Sequence, residues 1–257
     1  MTSQINVYAL PKFVDPEELA AGTVVVIDVL RAATTIIYAL QAGATAVVPC
    51  REIDEARSIA AGFTFDKKIL GGERGGLPIT GFDLGNSPEQ YTPDRVQGKT
   101  IIFTTTNGTQ ALLHAKKAKQ ILLGAFVNAS AVAKKLIGQE SVHLLCAGTE
   151  GQPSEDDILF AGMLAEKIQR QGGKQCQLND QAIAARDLWL HTLEITQASV
   201  AEPPKPESLA TILQKSLGGK NLVELGLEAD ILAAAQIDRF NIIPQFNPTT
   251  SRIQLVR

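Results

Sequence analysis

Short β-branched runs alternate with alanine-rich stretches of helical spacing through the first two-thirds of the chain, and that alternation narrows the fold most. INVYAL (5–10), TVVVIDV (23–29), TAVVPC (45–50), KTIIFTT (99–105), QILLGAF (120–126) and SVHLLCA (141–147) read as strands. RAATTIIYALQAGA, DEARSIAAG, NGTQALLHAKKA and SAVAKKLIG fill several of the gaps as helices. Strands that are apolar along their whole length need cover on both faces, so the pattern predicts an α/β protein with a largely parallel sheet between helix layers. GGERGGLPITGFDLGNSPEQYTPD (71–94) breaks the rhythm as a long Gly/Pro-rich connection, a kind that often carries function in a compact domain.

After Pro153 the character changes. SEDDILFAGMLAEKIQRQG and QAIAARDLWLHTLEITQA read as successive helices, with Met163 and Trp189 at core spacing. VAEPPKPE (200–207) is a proline-rich surface loop, shorter helices follow, and FNIIPQF and RIQLVR read as edge strands. The expectation is a single domain over residues 1–257, with a helix-rich C-terminal lobe starting near residue 153.

A net charge of −3 gives no field for nucleic acid or an anionic membrane surface. Cys50, Cys146 and Cys176 form neither a disulfide framework nor a zinc pattern. MTSQINVYALPKF has no secretory-leader pattern, and no apolar run approaches a membrane span. A cytoplasmic protein with no nucleic-acid or membrane partner is therefore expected. A homodimer is expected only from the general habit of metabolic enzymes.

Three junctions share a strand, a Thr/Gly-rich turn and a helix: IDVLRAATT (27–35), TTTNGT (104–109) and CAGTEGQPSEDD (146–157). In an open parallel sheet all three would lie on the carboxyl edge, where ligands bind. The unpaired N–H groups of a helix start suit phosphate, and Gly108 would let the backbone approach it. Thr and Asn also cap helices, so TTTNGT alone is consistent with either role; three such junctions together favour a site. Asp28 ends an apolar strand, where a carboxylate needs a cation or several donors. Arg31 offers a planar fork for an anion, or an internal ion pair with Asp28. Glu73 and Arg74 sit between glycines. Glu155 and Asp156 are candidate oxygen ligands for a hard cation, whereas Asp157 reads as a helix-dipole partner. Carboxylates beside guanidiniums point to metal-assisted phosphoryl chemistry.

Several phosphate-handling classes are excluded. GKT (98–100) lacks the Walker glycine, with Pro93 in its place, and it opens a strand. No G-x-G-x-x-G occurs. Cys146 is followed at the required arginine position by Gln152, and Asp28 has Leu30 where haloacid-dehalogenase-like phosphatases carry a second acid. His114, His143 and His191 are scattered and read as structural or surface residues.

With VVVIDVLRAATT, GGERGG, FDLGNSP, TTTNGT and CAGTEG–SEDD in this order, the chain resembles the 2-phosphosulfolactate phosphatase family from about residue 5 to residue 246. The resemblance implies a three-layer α/β/α fold distinct from the common phosphatase folds. It also implies a magnesium-dependent acid phosphatase that converts (R)-2-phospho-3-sulfolactate to 3-sulfolactate and phosphate, a step of coenzyme M biosynthesis in methanogens. On that basis Asp28, Glu73 and Asp156 are expected to hold or orient Mg2+, with Glu155 a further ligand candidate. Arg31, Thr34, Thr35, Thr105, Asn107, Gly108 and Thr109 are expected around the phosphate, and Arg74 toward the sulfonate or carboxylate. A metal-bound water is the expected nucleophile, with Asp28 as phosphoryl acceptor the rival. LEADILAAAQID departs from the family pattern by lacking a cysteine, and Asp230 and Asp238 stay outside the assignment. Two other readings stand beside this one: a phosphatase for another small phosphorylated acid, and a non-catalytic anion binder.

Overall fold

The computed structural model describes residues 3–172 and 176–255. Its first half places strands β1 (Ser3–Tyr8), β2 (Thr23–Ile27), β3 (Ala46–Cys50), β4 (Lys68–Arg74), β5 (Leu77–Pro78) and β6 (Thr100–Thr104) among helices α1 (Ala32–Gln41), α2 (Ile53–Ala61), α3 (Pro93–Val96) and α4 (Gly108–His114). The second half adds strands β7 (Gln120–Gly124), β8 (Ser141–Cys146) and β9 (Cys176–Leu178) with helices α5 (Ala129–Leu136), α6 (Glu155–Gly172) and α7 (Asp180–Ile195). Helices α8 (Pro206–Leu213), α9 (Leu217–Glu224) and α10 (Glu228–Ala234) precede a closing hairpin, β10 (Pro244–Asn247) and β11 (Arg252–Leu255).

The sheet runs β5-β4-β6-β3-β11-β10-β7-β2-β8-β1-β9. It is mixed, as the expected α/β class allows, but its plan differs from the simple expectation. One parallel block is β4-β6-β3 and the other is β7-β2-β8-β1-β9. Three antiparallel pairings through β10 and β11 join them, so the two blocks run in opposite senses. The last two strands are therefore central, not edge strands. Phe246 and Ile253 explain it, because both are fully buried in the core and fill the seam between the blocks.

The β2 strand shows how one run serves two layers. Val25 and Ile27 pack with α5, α6 and α7, whereas Val24 and Val26 pack with α1 and α4. The second of these clusters also contains Val47 of β3, Ile69 of β4 and Ile101 and Phe103 of β6, so both blocks close around α1 and α4. Adjacent strands rotate by roughly 20–25°, and the five steps from β6 to β2 accumulate about 100–125°. Nominally opposed strands thus cross at an acute angle, and their carboxyl ends can meet. Met163 and Trp189 are core residues, as their spacing predicts, and α8, α9 and α10 contribute Leu209, Leu222 and Ile231 to the same cluster as β1 and β8. Among the described residues no helix is long and apolar enough to cross a membrane.

The seam makes a direct prediction. Phe246→Ala should lower unfolding free energy by about 3–5 kcal/mol, read as a shift in the urea midpoint with little change in slope. A loss below about 1 kcal/mol would show that the hairpin merely covers the two blocks.

Candidate active site

A cavity of about 280 Å³ opens where the junctions after β2, β4, β6 and β8 converge, and α9 forms its far wall. Asp28, Arg31, Glu73, Thr105, Thr106 and Asn107 line it together with Thr149, Glu150, Asn86 and, from α9, Gly218, Asn221 and Glu224. The three Thr/Gly-rich junctions do meet, although β6 belongs to the block of opposite sense.

Asp28 is 7% exposed, and its Oδ1 accepts the Ala32 N–H at the start of α1 at 3.0 Å. A Cβ at residue 108 would lie 2.8 Å from Asp28 Oδ2, so Gly108 is required by the close pass of the TTTNGT turn over Asp28. The expected ligand contact at that glycine is thus taken by a carboxylate. Burial pushes the Asp28 carboxyl up to about 7; Asp156 and Glu73 push the same way, against the Ala32 bond and Arg31.

The turn is held from β4. Glu73 accepts the Thr106 N–H at 2.9 Å on Oε1 and the Gly76 N–H at 2.7 Å on Oε2. Asn107, the residue before α4, makes no capping hydrogen bond with its side chain, which leaves its amide at the cavity. Arg74, one residue on, is turned to the other side because successive strand residues face opposite ways. Its guanidinium bonds to the carbonyls of Glu73 and Arg51 and to Thr104 Oγ1. Arg74 therefore lies outside the cavity and does not serve as the expected sulfonate reader there.

Arg31 is 4% exposed and committed within the protein. Its Nη1 donates to Asp230 Oδ2 at 2.6 Å and its Nη2 to the Gly76 carbonyl at 2.7 Å. The internal ion pair anticipated for Arg31 exists, but with Asp230 of α10 instead of Asp28. Thr34, Thr35 and Thr109 are also spent on structure, donating to the carbonyls of Val29, Asn86 and Cys50 at 2.8, 2.9 and 3.2 Å. These three hydroxyls fasten the loops that build the cavity and do not line it.

The first turn of α6 separates its three acids by direction. Glu155 is exposed to solvent and is no ligand candidate on this geometry. Asp156 is buried and accepts the Ser154 hydroxyl on Oδ1. A Cβ on Gly218 would meet Thr149 Oγ1 at 3.2 Å and Asp156 Oδ1 at 3.5 Å, so Asp156 lies just behind the cavity wall. Asp157 is more than a dipole partner: it accepts the Val29 N–H at 2.8 Å and the Gly148 N–H at 2.9 Å. It locks the ends of β2 and β8 together. Burial raises the Asp156 and Asp157 carboxyls as well, Asp157 well above the usual range, with Asp156 and Asp28 adding repulsion.

Among the described residues no three His, Cys, Asp or Glu side chains converge as a metal cage. The expected set of Asp28, Glu73, Glu155 and Asp156 does not assemble, since Glu73 is given to backbone donors and Glu155 faces outward. The site fits a hard cation in another way. Asp28, Glu73, Glu150 and Glu224 line the cavity against one guanidinium that is already paired. Magnesium commonly takes one or two carboxylates, with waters and ligand oxygens completing the octahedron; Asp28 is the carboxylate placed to serve. No histidine lines this cavity: His114 bonds the Val14 carbonyl, His143 stacks on Tyr8, and His191 pairs with Glu194.

A raised carboxyl favours the folded state below its unfolded value, near 4, and that contribution is lost as pH rises through about 7. In metal-free buffer Asp28→Asn should therefore melt higher than wild type at pH 8. The gap should close toward pH 4, where both side chains are neutral. A constant gap across that range would mean that Asp28 is not the titrating group.

The chain matches the family model described as 2-phosphosulpholactate phosphatase over residues 8–249. A probable 2-phosphosulfolactate phosphatase of Caldanaerobacter subterraneus subsp. tengcongensis is 37% identical over 243 residues, 94% of each chain. One from Symbiobacterium thermophilum is 39% identical over 231 residues, 90% of this chain and 93% of the relative. One from Clostridium novyi is 36% identical over 232 residues, 90% and 92% of the two chains. The ordered motifs, the cavity they build and these full-length likenesses lead to one conclusion: the chain belongs to the 2-phosphosulfolactate phosphatase family, whose members are phosphoric monoester hydrolases.

Proposed function

We propose that this chain is a cytoplasmic, magnesium-dependent phosphatase that hydrolyses (R)-2-phospho-3-sulfolactate to 3-sulfolactate and phosphate. The observation that carries the magnesium requirement is the charge of the cavity. Four carboxylates line it and its guanidinium is bound to Asp230, whereas the substrate brings a phosphate, a sulfonate and a carboxylate. Anions of that number enter such a cavity only with a cation that offsets both sides.

Magnesium bound at Asp28 would supply Lewis-acid stabilisation of the phosphoryl oxygens. The chain's own part is positioning. Asp157 fixes the ends of β2 and β8, Glu73 holds the turn that carries Thr105 and Asn107, and Arg31 anchors Gly76. Thr105 and Asn107 from the end of β6 and Thr149 from the end of β8 present polar side chains toward the ligand. Asp28, held neutral to about neutral pH without a cation, becomes the carboxylate that a cation restores to charge.

The placement of Arg74 outside the cavity favours a second reading, in which the same chemistry serves another small phosphorylated acid. Phosphate release from racemic 2-phosphosulfolactate, beside phospholactate and phosphoglycerate, separates the two. The expected result is release that strongly prefers the sulfonated compound and stops in EDTA. Asp28→Asn should lower it by at least on the order of 10²-fold. Release only from another acid would discard this substrate, and undiminished release by the variant would remove Asp28 from the chemistry.

A further inference from the structure

The turn Gly85-Asn86-Ser87 is fixed at each residue by a hydrogen bond from elsewhere. Tyr91 Oη donates to the Gly85 carbonyl at 2.7 Å, and Gln90 Oε1 accepts the Gly85 N–H at 3.0 Å. Thr35 Oγ1 donates to the Asn86 carbonyl at 2.9 Å. Ser87 Oγ donates to Asp230 Oδ2 at 2.8 Å, the same oxygen that holds Arg31. The backbone of Asn86 is thus over-determined by α1 on one side and α10 on the other.

Its side chain is the exception. Asn86 is 5% exposed and lines the cavity, yet its Oδ1 has no hydrogen-bond partner among the described residues. A buried amide oxygen left unpaired bears its full desolvation cost, and native proteins leave few such atoms without a role. Glu166 Oε2 is also unpaired, but it belongs to α6 and does not line the cavity. Asn86 differs because its unsatisfied amide stands on a rigid turn at the wall where a ligand would sit.

We propose that Asn86 is a substrate-binding residue whose carboxamide is completed by the ligand, an acid bearing phosphate and further anionic or hydroxyl oxygens. An amide offers both a donor and an acceptor: its Nδ2–H can donate to an anionic oxygen, while the unpaired Oδ1 needs a donor, which a hydroxyl or a protonated phosphate oxygen of the ligand supplies. Arg31 has less to offer, because Asp230 and Gly76 each take one N–H of its two terminal nitrogens. The role is ground-state binding: the amide contacts ligand oxygens that do not change charge in the reaction, so its loss raises KM more than it lowers kcat. This inference rests on the phosphatase reading for the identity of the substrate, but not for the existence of the contact.

The test compares wild type, Asn86→Ala and Asn86→Gln in three measurements: steady-state hydrolysis of 2-phosphosulfolactate with magnesium, calorimetric titration with inorganic phosphate and with 3-sulfolactate, and thermal melting. For Asn86→Ala, KM should rise about tenfold or more with kcat within about threefold, and 3-sulfolactate or phosphate should bind correspondingly more weakly. Its melting temperature should equal or exceed that of wild type, since the amide has no protein partner to lose. Asn86→Gln keeps the chemistry with one more methylene and should recover part of the affinity. Unchanged KM and unchanged binding would overturn the assignment. So would a lowered melting temperature that accounts for the lost activity, because it would mark Asn86 as structural. If wild type proves inactive on this substrate, the substrate reading fails alone. The titrations then still decide the inference: weaker anion binding by Asn86→Ala supports it, and equal or absent binding overturns it.

Discussion

The site depends on the buried pair between Arg31 and Asp230. It joins residues 199 positions apart at 2.6 Å, with both side chains almost wholly out of solvent. Through Gly76, Ser87 and these two side chains, the turn after β2, the β4–β5 hairpin, the Gly85–Ser87 turn and α10 become one unit. Removing one partner of such a pair typically destabilises by about 3–5 kcal/mol, because the other charge is left buried and alone. The same pairing offsets the charge of the cavity's guanidinium. Structure and electrostatics are therefore set by a single contact: what braces the walls also leaves the interior negative.

The carboxylates follow from that. Asp157 uses both oxygens to tie β2 to β8, and Glu73 uses both to tie the turn after β6 to the β4–β5 hairpin. Asp28 has one oxygen on the start of α1 and the other beneath Gly108. A carboxylate can accept several N–H bonds at once, and strand ends have N–H groups to spare. Clustering acids at converging strand ends is thus a way to hold loops in place. Their mutual repulsion is the chemical consequence, and a hard cation is its natural relief.

Much of this could be read in the sequence, and the misses have physical reasons. Asp28, Thr105 and Asn107 were legible because each follows or ends an apolar strand, whereas Glu73 was marked only by the glycines around it. Arg74 was grouped with Glu73 because GGERGG reads as part of a Gly-rich connection; in a strand, neighbours 73 and 74 face opposite ways. Glu155, Asp156 and Asp157 look alike in sequence, and only the approach of β2 and α9 decides which face is buried. Thr34, Thr35 and Thr109 looked like ligand donors, but buried backbone carbonyls claimed them first. Asp230 carries no local signal of its own, and Asn86 lies in FDLGNSP, a motif to which the sequence assigns no role. Their roles come from contacts across the chain, and the missing signal was the need of a buried Arg31 for a partner. Likewise the sheet's change of sense came from two short strands whose sequence resembles an edge.

On the proposed function, the cavity takes a polyanion only together with a divalent cation. Calorimetric titration of the wild-type protein with 3-sulfolactate, once in magnesium and once in EDTA, tests it most directly. Saturable binding is expected in magnesium and none in EDTA, with Asp28→Asn weakening the magnesium-dependent signal. Equal affinity in both buffers would contradict it, since the carboxylates around Asp28 would then accept the anion unaided.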